Sequence, residues 1–314
     1  GMRAVGVTTY GGPEALELVD LPEVHAGPGE VRLRVYAATV NPTDTYVRNG
    51  DRAKVQSADP GPYVPGMDAA GIVDEVGEGV TTGIAVGDRA MAIVVPKGTH
   101  GAYRESLVLP AGSVTRSPEG TSHAEASTLP MNGLTARLSL DLLGLQPGQT
   151  IAVTGAAGCY GGYVVQLAKA DGLTVIADAS EADTELVTSL GADIVVPRGA
   201  GFAAEVRKHF PNGVDGLADG SVQNDEVIDA IADGGAFTSV RGYQGEPQRD
   251  ITFSVTWVIS YATEHAKLDQ LRAQTEAGEV SLRVAQTYPA AQASEAHARL
   301  EAGGTRGRCV IEFD

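Results

Sequence analysis

The sequence predicts an α/β chain in which a doubly wound parallel sheet is set into a β-rich unit. Three observations predict it. Residues 151–170 read as a buried strand, a glycine-rich loop and a helix in direct succession. From there strands and helices alternate to about residue 240. On either side lie short alternating strands punctuated by Gly and Pro.

Taken in order, residues 1 to about 120 are β-rich. Val31, Leu33 and Val35 alternate with Arg32, Arg34 and Tyr36, the pattern of a half-buried strand. Residues 70–76, 88–95 and 102–109 are further strands, and such spacing suits a barrel or sandwich. Residues 124–143 read as helix interrupted at Pro130 and Gly133, and Pro147-Gly148 turns the chain into the strand at 151–153. After the glycine loop, Tyr163, Val164, Leu167 and Ala168 recur at helical spacing. The next strand is 174–177. Ser180-Glu-Ala-Asp183 then opens a helix with capping-box spacing, and Gly191 stops it. Strands at 194–196, 214–218 and 236–240 alternate with helices at 202–210 and 225–231. A helix at 262–277, a strand at 280–287, a helix at 290–300 and a strand at 308–313 finish the chain and are expected to pack on the N-terminal unit. The division is therefore 1–120 plus 262–314 as one domain, with 121–261 inserted as a nucleotide-binding domain.

The loop Gly155-Ala-Ala-Gly158-Cys-Tyr-Gly161 has a chemical reason for its small residues. Gly158 lets backbone approach a pyrophosphate, Gly161 lets the helix pack on the strand, and the helix N-terminus offers free N–H donors. A tight turn without a ligand is the other reading; the βαβ rhythm that follows favours the nucleotide. Cys159 sits where a helix N-terminus lowers a thiol's pKa, or serves only as a small filler.

Composition narrows the partners. A net charge of −17 disfavours nucleic acid and anionic membranes, both of which need a basic footprint. No apolar run approaches the roughly 20 residues of a membrane span. No signal-peptide pattern opens the chain, and Gly1 before Met2 reads as a remnant of an added tag. With only Cys159 and Cys309, a disulfide scaffold is not expected and a reducing cytoplasm is.

Six segments carry a family resemblance: Asn41-Pro-Thr-Asp-Thr-Tyr-Val-Arg48, Val64-Pro-Gly-Met-Asp-Ala-Ala-Gly71, Val86-Gly-Asp-Arg89, Leu129-Pro-Met-Asn-Gly-Leu-Thr-Ala136, the loop 155–161, and Ala296-His-Ala-Arg-Leu-Glu-Ala-Gly303. With them the chain resembles the medium-chain dehydrogenase/reductase superfamily, in its zinc-free quinone oxidoreductase (zeta-crystallin-like) branch. The resemblance implies a Rossmann doubly wound parallel sheet inserted into a GroES-like β-rich catalytic domain, with the active-site cleft at their junction. In the zinc alcohol dehydrogenases of the superfamily, the segment equivalent to Gly66-Met67-Asp68 carries a His and a Glu, and that around Asp44 a Cys. Here Met67 and Asp44 stand there, Met131-Asn132 offers no thiolate, and the six histidines lack ligand spacing, so no metal is expected.

Without metal, the implied reaction is hydride transfer to a quinone or an α,β-unsaturated carbonyl, with hydrogen-bond donors meeting the charge on the substrate oxygen. The resemblance offers Tyr46 and Arg48 as those donors, with Asn41 nearer the nicotinamide. Tyr46 as a packed aromatic and Arg48 as an ion-pair partner are the plainer readings. Thr135 resembles the threonine that touches the nicotinamide, or else bonds back to its own turn. Gly155, Ala156, Gly158, Cys159, Tyr160 and Gly161 are the expected cofactor loop, and Val240 and Arg241, with Tyr243 beyond them, follow a strand at the carboxyl edge where ligands sit. Asp178 lies about 20 residues past Gly158, where an acid holds the ribose of NADH. The resemblance favours NADPH instead, with Ser180 at the 2′-phosphate, Asp183 in place of the family's lysine, and Arg198 supplying the missing positive charge. An enoyl-thioester or ketone reductase on the same scaffold, and a non-catalytic nucleotide-binding protein, are the alternatives. The resemblance also implies a homodimer, for which residues 251–261 are the candidate interface.

Overall fold

The computed structural model describes residues 1–243 and 245–314. The first stretch of chain runs through β1 (Met2–Gly6), β2 (Glu17–Leu21), β3 (Glu30–Thr39), α1 (Pro42–Asn49), α2 (Ala53–Gln56), β4 (Asp68–Val76), β5 (Arg89–Ile93), β6 (Ser106–Pro110), β7 (Val114–Arg116), α3 (His123–Ser127) and α4 (Pro130–Leu143). Then β8 (Thr150–Thr154), α5 (Cys159–Ala170), β9 (Thr174–Ala179), α6 (Thr184–Ser189), β10 (Ile194–Pro197), α7 (Phe202–His209), β11 (Val214–Asp219), β12 (Ile231–Ser239) and β13 (Thr252–Val255) alternate. The chain closes with α8 (His265–Glu276), β14 (Val284–Pro289), α9 (Ala293–Glu301) and β15 (Arg308–Glu312).

Two compact units result: Gly1–Met131 with Ile259–Asp314, and Asn132–Val258. The sequence places the first boundary near residue 120; residues 121–131 in fact belong to the first unit. Ala124 and Ala126 of α3 are buried, and the Met131 N–H donates to Asp68 on β4 at 3.1 Å.

In the first unit, a sheet runs β14-β15-β3-β4-β5-β7, with β6 also pairing to β3. Apart from the parallel β14–β15 pair, its pairings are antiparallel. The pairing of β15 with β3 joins the chain's two ends through Val310–Thr39 and Ile311–Ala38. Val31, Leu33 and Val35 face a core with Val73, Leu107, Leu109 and Ile311, as period-two alternation requires. The strand expected at 102–109 begins only at Ser106, because Ala102 and Tyr103 bond instead to Gly66 and Pro65. Likewise the strand expected from 280 begins at Val284.

In the second unit all six strands are parallel, in the order β10-β9-β8-β11-β12-β13. Strands covered by helices on both faces carry continuous apolar runs, and Ile151, Ala152, Val153, Val175, Ile176 and Ala177 are all fully buried. Two expected helix starts form differently. Ser180–Asp183 makes a 3₁₀ turn in which the Ser180 hydroxyl donates to Asp183 Oδ2 at 3.1 Å, so the serine does not cap the helix. The helix expected at 225–231 is a 3₁₀ run, Asn224–Ala230.

Candidate functional site

In the second unit, β8 delivers the chain into the glycine loop. Gly155 has φ of +71°, and a Cβ there would lie 2.9 Å from the Gly220 carbonyl carbon, so only glycine fits. A Cβ on Gly161 would come 2.1 Å from the Gly155 carbonyl oxygen; loop and helix touch backbone to backbone there. Gly158 is the N-cap of α5 and differs from both. Its φ of −77° suits any residue, and a Cβ would meet only the Gly155 oxygen, at 3.2 Å, among the described residues. Packing therefore demands glycine at 155 and 161, whereas at 158 it does not. A bare backbone at the N-terminus of a twelve-residue helix is a cradle that fits a pyrophosphate.

Asp178, at the end of β9, holds the loop from its own side. It is buried, and its Oδ1 accepts the Ala156 N–H at 3.0 Å. Burial pushes its carboxyl up, while the Ala156 and Gly155 amides and the nearby Arg198 guanidinium pull it back. Arg198 itself is exposed. Across the loop stands a residue the sequence reading missed, Asp219 at the end of β11. It accepts from Thr154 Oγ1 at 2.7 Å, from the Gln223 N–H at 3.1 Å and from the Asn224 N–H at 2.7 Å. This holds Val222 and Asn224 at φ of 55° and 54°, a left-handed conformation that a β-branched valine rarely adopts. An Asp at the carboxyl end of a parallel strand was the available signal.

The other cofactor candidates divide. Thr135 is buried on α4, and Val240 and Arg241 lie just past β12, with the Arg241 N–H on Ser239 Oγ at 3.3 Å. The Tyr160 hydroxyl bonds to Ser139 Oγ at 2.7 Å, so its side chain braces α5 against α4. Cys159 is buried in the first turn of α5.

In the first unit, α1 places its polar residues in a buried network. Asn41 starts the helix, Pro42 fixes its first turn and Gly50 ends it at φ of +95°. The Asp44 carboxylate accepts the Asn41 N–H at 2.8 Å, the Gly66 N–H at 2.9 Å and the Tyr103 hydroxyl at 3.1 Å. Asp68 accepts from Asn41 Nδ2 at 3.1 Å and from the Met131 N–H. Burial pushes Asp44 up to about 6, against the pull of its three donors and of Arg308. Asp68 rises well above the ordinary carboxylate range by burial and by proximity to Asp44.

Asn41, expected nearer the nicotinamide, and Arg48, expected toward the substrate oxygen, both take part in this network. Asn41 is fully buried, and its Nδ2 donates to Asp68. Arg48 is also buried; its Nε donates to the Gly11 carbonyl at 3.1 Å, its Nη1 donates to His297 Nδ1 at 2.9 Å, and it pairs with Glu301. Tyr46, between them, is half-buried. The sequence reading missed Tyr103 and His297, which complete the network at 3.0 Å from each other. Among the described residues no group of three or more His, Cys, Asp or Glu side chains is placed to hold a metal. No helix of the described residues is long and apolar enough to cross a membrane.

An inserted parallel nucleotide sheet and a β-rich unit with this order of segments define an oxidoreductase class, and comparison with known proteins agrees. Residues 27–119 match the Alcohol dehydrogenase GroES-like domain family, and residues 190–311 the Zinc-binding dehydrogenase family. The chain is 30% identical over 322 residues to 2-methylene-furan-3-one reductase of Solanum lycopersicum, covering 99% of this chain and 79% of that one. It is 29% identical over 333 residues to quinone oxidoreductase of Rattus norvegicus, covering 99% and 97%. A crystal structure described as an NAD-dependent alcohol dehydrogenase superposes with a TM-score of 0.86 at 32% identity, covering 100% of both chains. The chain belongs to the medium-chain dehydrogenase/reductase superfamily, in its quinone oxidoreductase branch. It is an oxidoreductase that uses a nicotinamide cofactor.

Proposed function

We propose that this protein is a zinc-independent, NADPH-dependent reductase of quinones or α,β-unsaturated carbonyl compounds, active in the cytoplasm. The observation that carries the reading is an intact dinucleotide loop in a chain whose metal-ligand positions are filled by Met67, by Asn132 and by an Asp44 carboxylate already holding three donors. A reduced nicotinamide, when bound, supplies the hydride for the electrophilic carbon of a conjugated acceptor. The backbone at Gly158 and the N-terminus of α5 hold the pyrophosphate, with Thr135, Val240 and Arg241 toward the nicotinamide. Tyr46 donates a hydrogen bond to the substrate oxygen as charge builds there, and solvent supplies the proton that completes the product.

For the cofactor, the reading rests on Arg198. Its exposed guanidinium beside the end of β9 suits a 2′-phosphate, while Asp178 is engaged by the loop amides. Parallel fluorescence titrations through the single tryptophan, Trp257, are expected to give tighter binding of NADPH than of NADH. Arg198→Ala should lose about tenfold in NADPH affinity and leave NADH unaltered. Tighter NADH binding would instead make Asp178 the ribose ligand.

We further propose a homodimer through β13, the edge strand of the parallel sheet, beside which Trp257 is 57% exposed. Sedimentation should give a dimer, and Trp257→Glu should shift it toward monomer. A monomeric unaltered protein would refute the interface.

A further inference from the structure

Within the first unit, a buried polar chain runs alongside α1 and takes no part in the chemistry proposed above. Its direction follows from the donor inventory. The Arg48 guanidinium only donates, so His297 Nδ1, 2.9 Å away, accepts. A neutral imidazole then carries its proton on Nε2, 3.0 Å from the Tyr103 hydroxyl. That hydroxyl in turn donates to Asp44 Oδ2 at 3.1 Å. Arg48, His297, Tyr103 and Asp44 thus form a one-way series in which no donor meets a donor.

The series closes on the helix that starts it. Asp44 and Arg48 are four residues apart on α1 and share a face. His297 and Glu301 are four apart on α9, and both meet Arg48. Tyr46 lies two residues from each end of the α1 pair, directed off that face. All four members of the chain are buried, and apolar residues would fill such space at less desolvation cost. A fully satisfied buried chain instead selects one arrangement of the elements it joins. Burial and the Arg48 charge push His297 down to about 3, so the ring stays neutral and the direction does not reverse near neutral pH.

We propose that His297 and Tyr103 are positioning residues for Tyr46: the directed chain clamps both ends of one α1 face and so sets the angle at which the opposite face presents the Tyr46 hydroxyl. This rests on the reading of Tyr46 as the donor to the substrate oxygen.

Three variants test it, with folded sites counted by NADPH titration. His297→Phe fills the space and removes both bonds, Tyr103→Phe removes the middle link, and His297→Gln keeps an acceptor toward Arg48 and a donor toward Tyr103. In His297→Phe and Tyr103→Phe, kcat for a quinone should fall about tenfold to a hundredfold with KM for NADPH unchanged. His297→Gln should recover to within about threefold, and in a Tyr46→Phe background His297→Phe or Tyr103→Phe should cost nothing more. Should His297→Phe not fold, the Tyr103→Phe pair alone decides. Equal losses with and without the Tyr46 hydroxyl, or unchanged kcat per folded site, would overturn the proposal. The side-chain ¹⁵N spectrum of the unaltered protein supplies a reading independent of activity. It should show His297 as the Nε2–H tautomer, and the Nδ1–H form would overturn the chain itself. Absence of turnover in the unaltered protein, with the Nε2–H form seen, would count against the proposed function rather than against the chain.

Discussion

Gly158→Ala is expected to leave the protein folded while weakening cofactor binding by about a hundredfold, roughly 2.7 kcal/mol. The expectation comes from the difference between neighbouring glycines. At Gly158 the backbone φ is −77° and an added Cβ meets one carbonyl oxygen at 3.2 Å, which small shifts relieve. A methyl there nevertheless stands between the helix N-terminus and any phosphate that approaches it. At Gly161 the same methyl would sit 2.1 Å from the Gly155 oxygen, so Gly161→Ala should disrupt the packing of α5 itself and lower Tm sharply. Thermal melts and NADPH titrations of the two variants separate the roles. Unaltered affinity in a folded Gly158→Ala protein would reduce the loop to a tight turn.

The second large effect is on stability in acid. His297 is neutral in the fold down to about pH 3, whereas an unfolded histidine protonates near 6.5. Between those values the unfolded chain binds more protons than the native one, so stability rises with pH through this window and is lost as pH falls from about 6.5. Asp44 acts in the opposite sense. Its folded value is raised to about 6, so the native state holds the extra proton there and stability falls as pH rises toward 6. Comparing unaltered protein with His297→Gln cancels the Asp44 contribution, since both carry it. Urea unfolding at pH 7 and pH 4 should then show the unaltered protein losing on the order of 3 kcal/mol more than His297→Gln. Parallel losses would mean that the histidine is not held neutral.

The parallel sheet, the glycine loop and the packing of the tail on the N-terminal unit were legible because each rests on local pattern: apolar runs, turn residues and helical spacing. Boundaries failed where a side chain outcompeted the backbone pattern. Ser180 and Asp183 have capping-box spacing, yet the serine hydroxyl bonds to the carboxylate and a 3₁₀ turn results. The segment expected as a helix at 225 is a 3₁₀ run, at whose start Asp219 accepts the Gln223 and Asn224 amides, a contact that local pattern does not show. In the candidate site, spacing is the wrong instrument. His297 and Tyr103 are 194 positions apart, and nothing near either one announces the other. The histidines read as scattered because ligand spacing was the only pattern available to judge them. Arg48 has a segment that resembles a substrate-side one, and an ion-pair partner was the plainer reading; its burial beside Gly11, His297 and Glu301 is tertiary information.

The most direct test of the central claim is to mix the protein with NADPH and a simple quinone or enone, before and after exhaustive chelation, and follow nicotinamide absorbance with metal content measured in parallel. The account predicts NADPH oxidation matched by acceptor reduction, at the same rate in metal-free protein. Binding of NADPH without turnover of any conjugated acceptor, or activity that vanishes with chelation and returns with zinc, would contradict it.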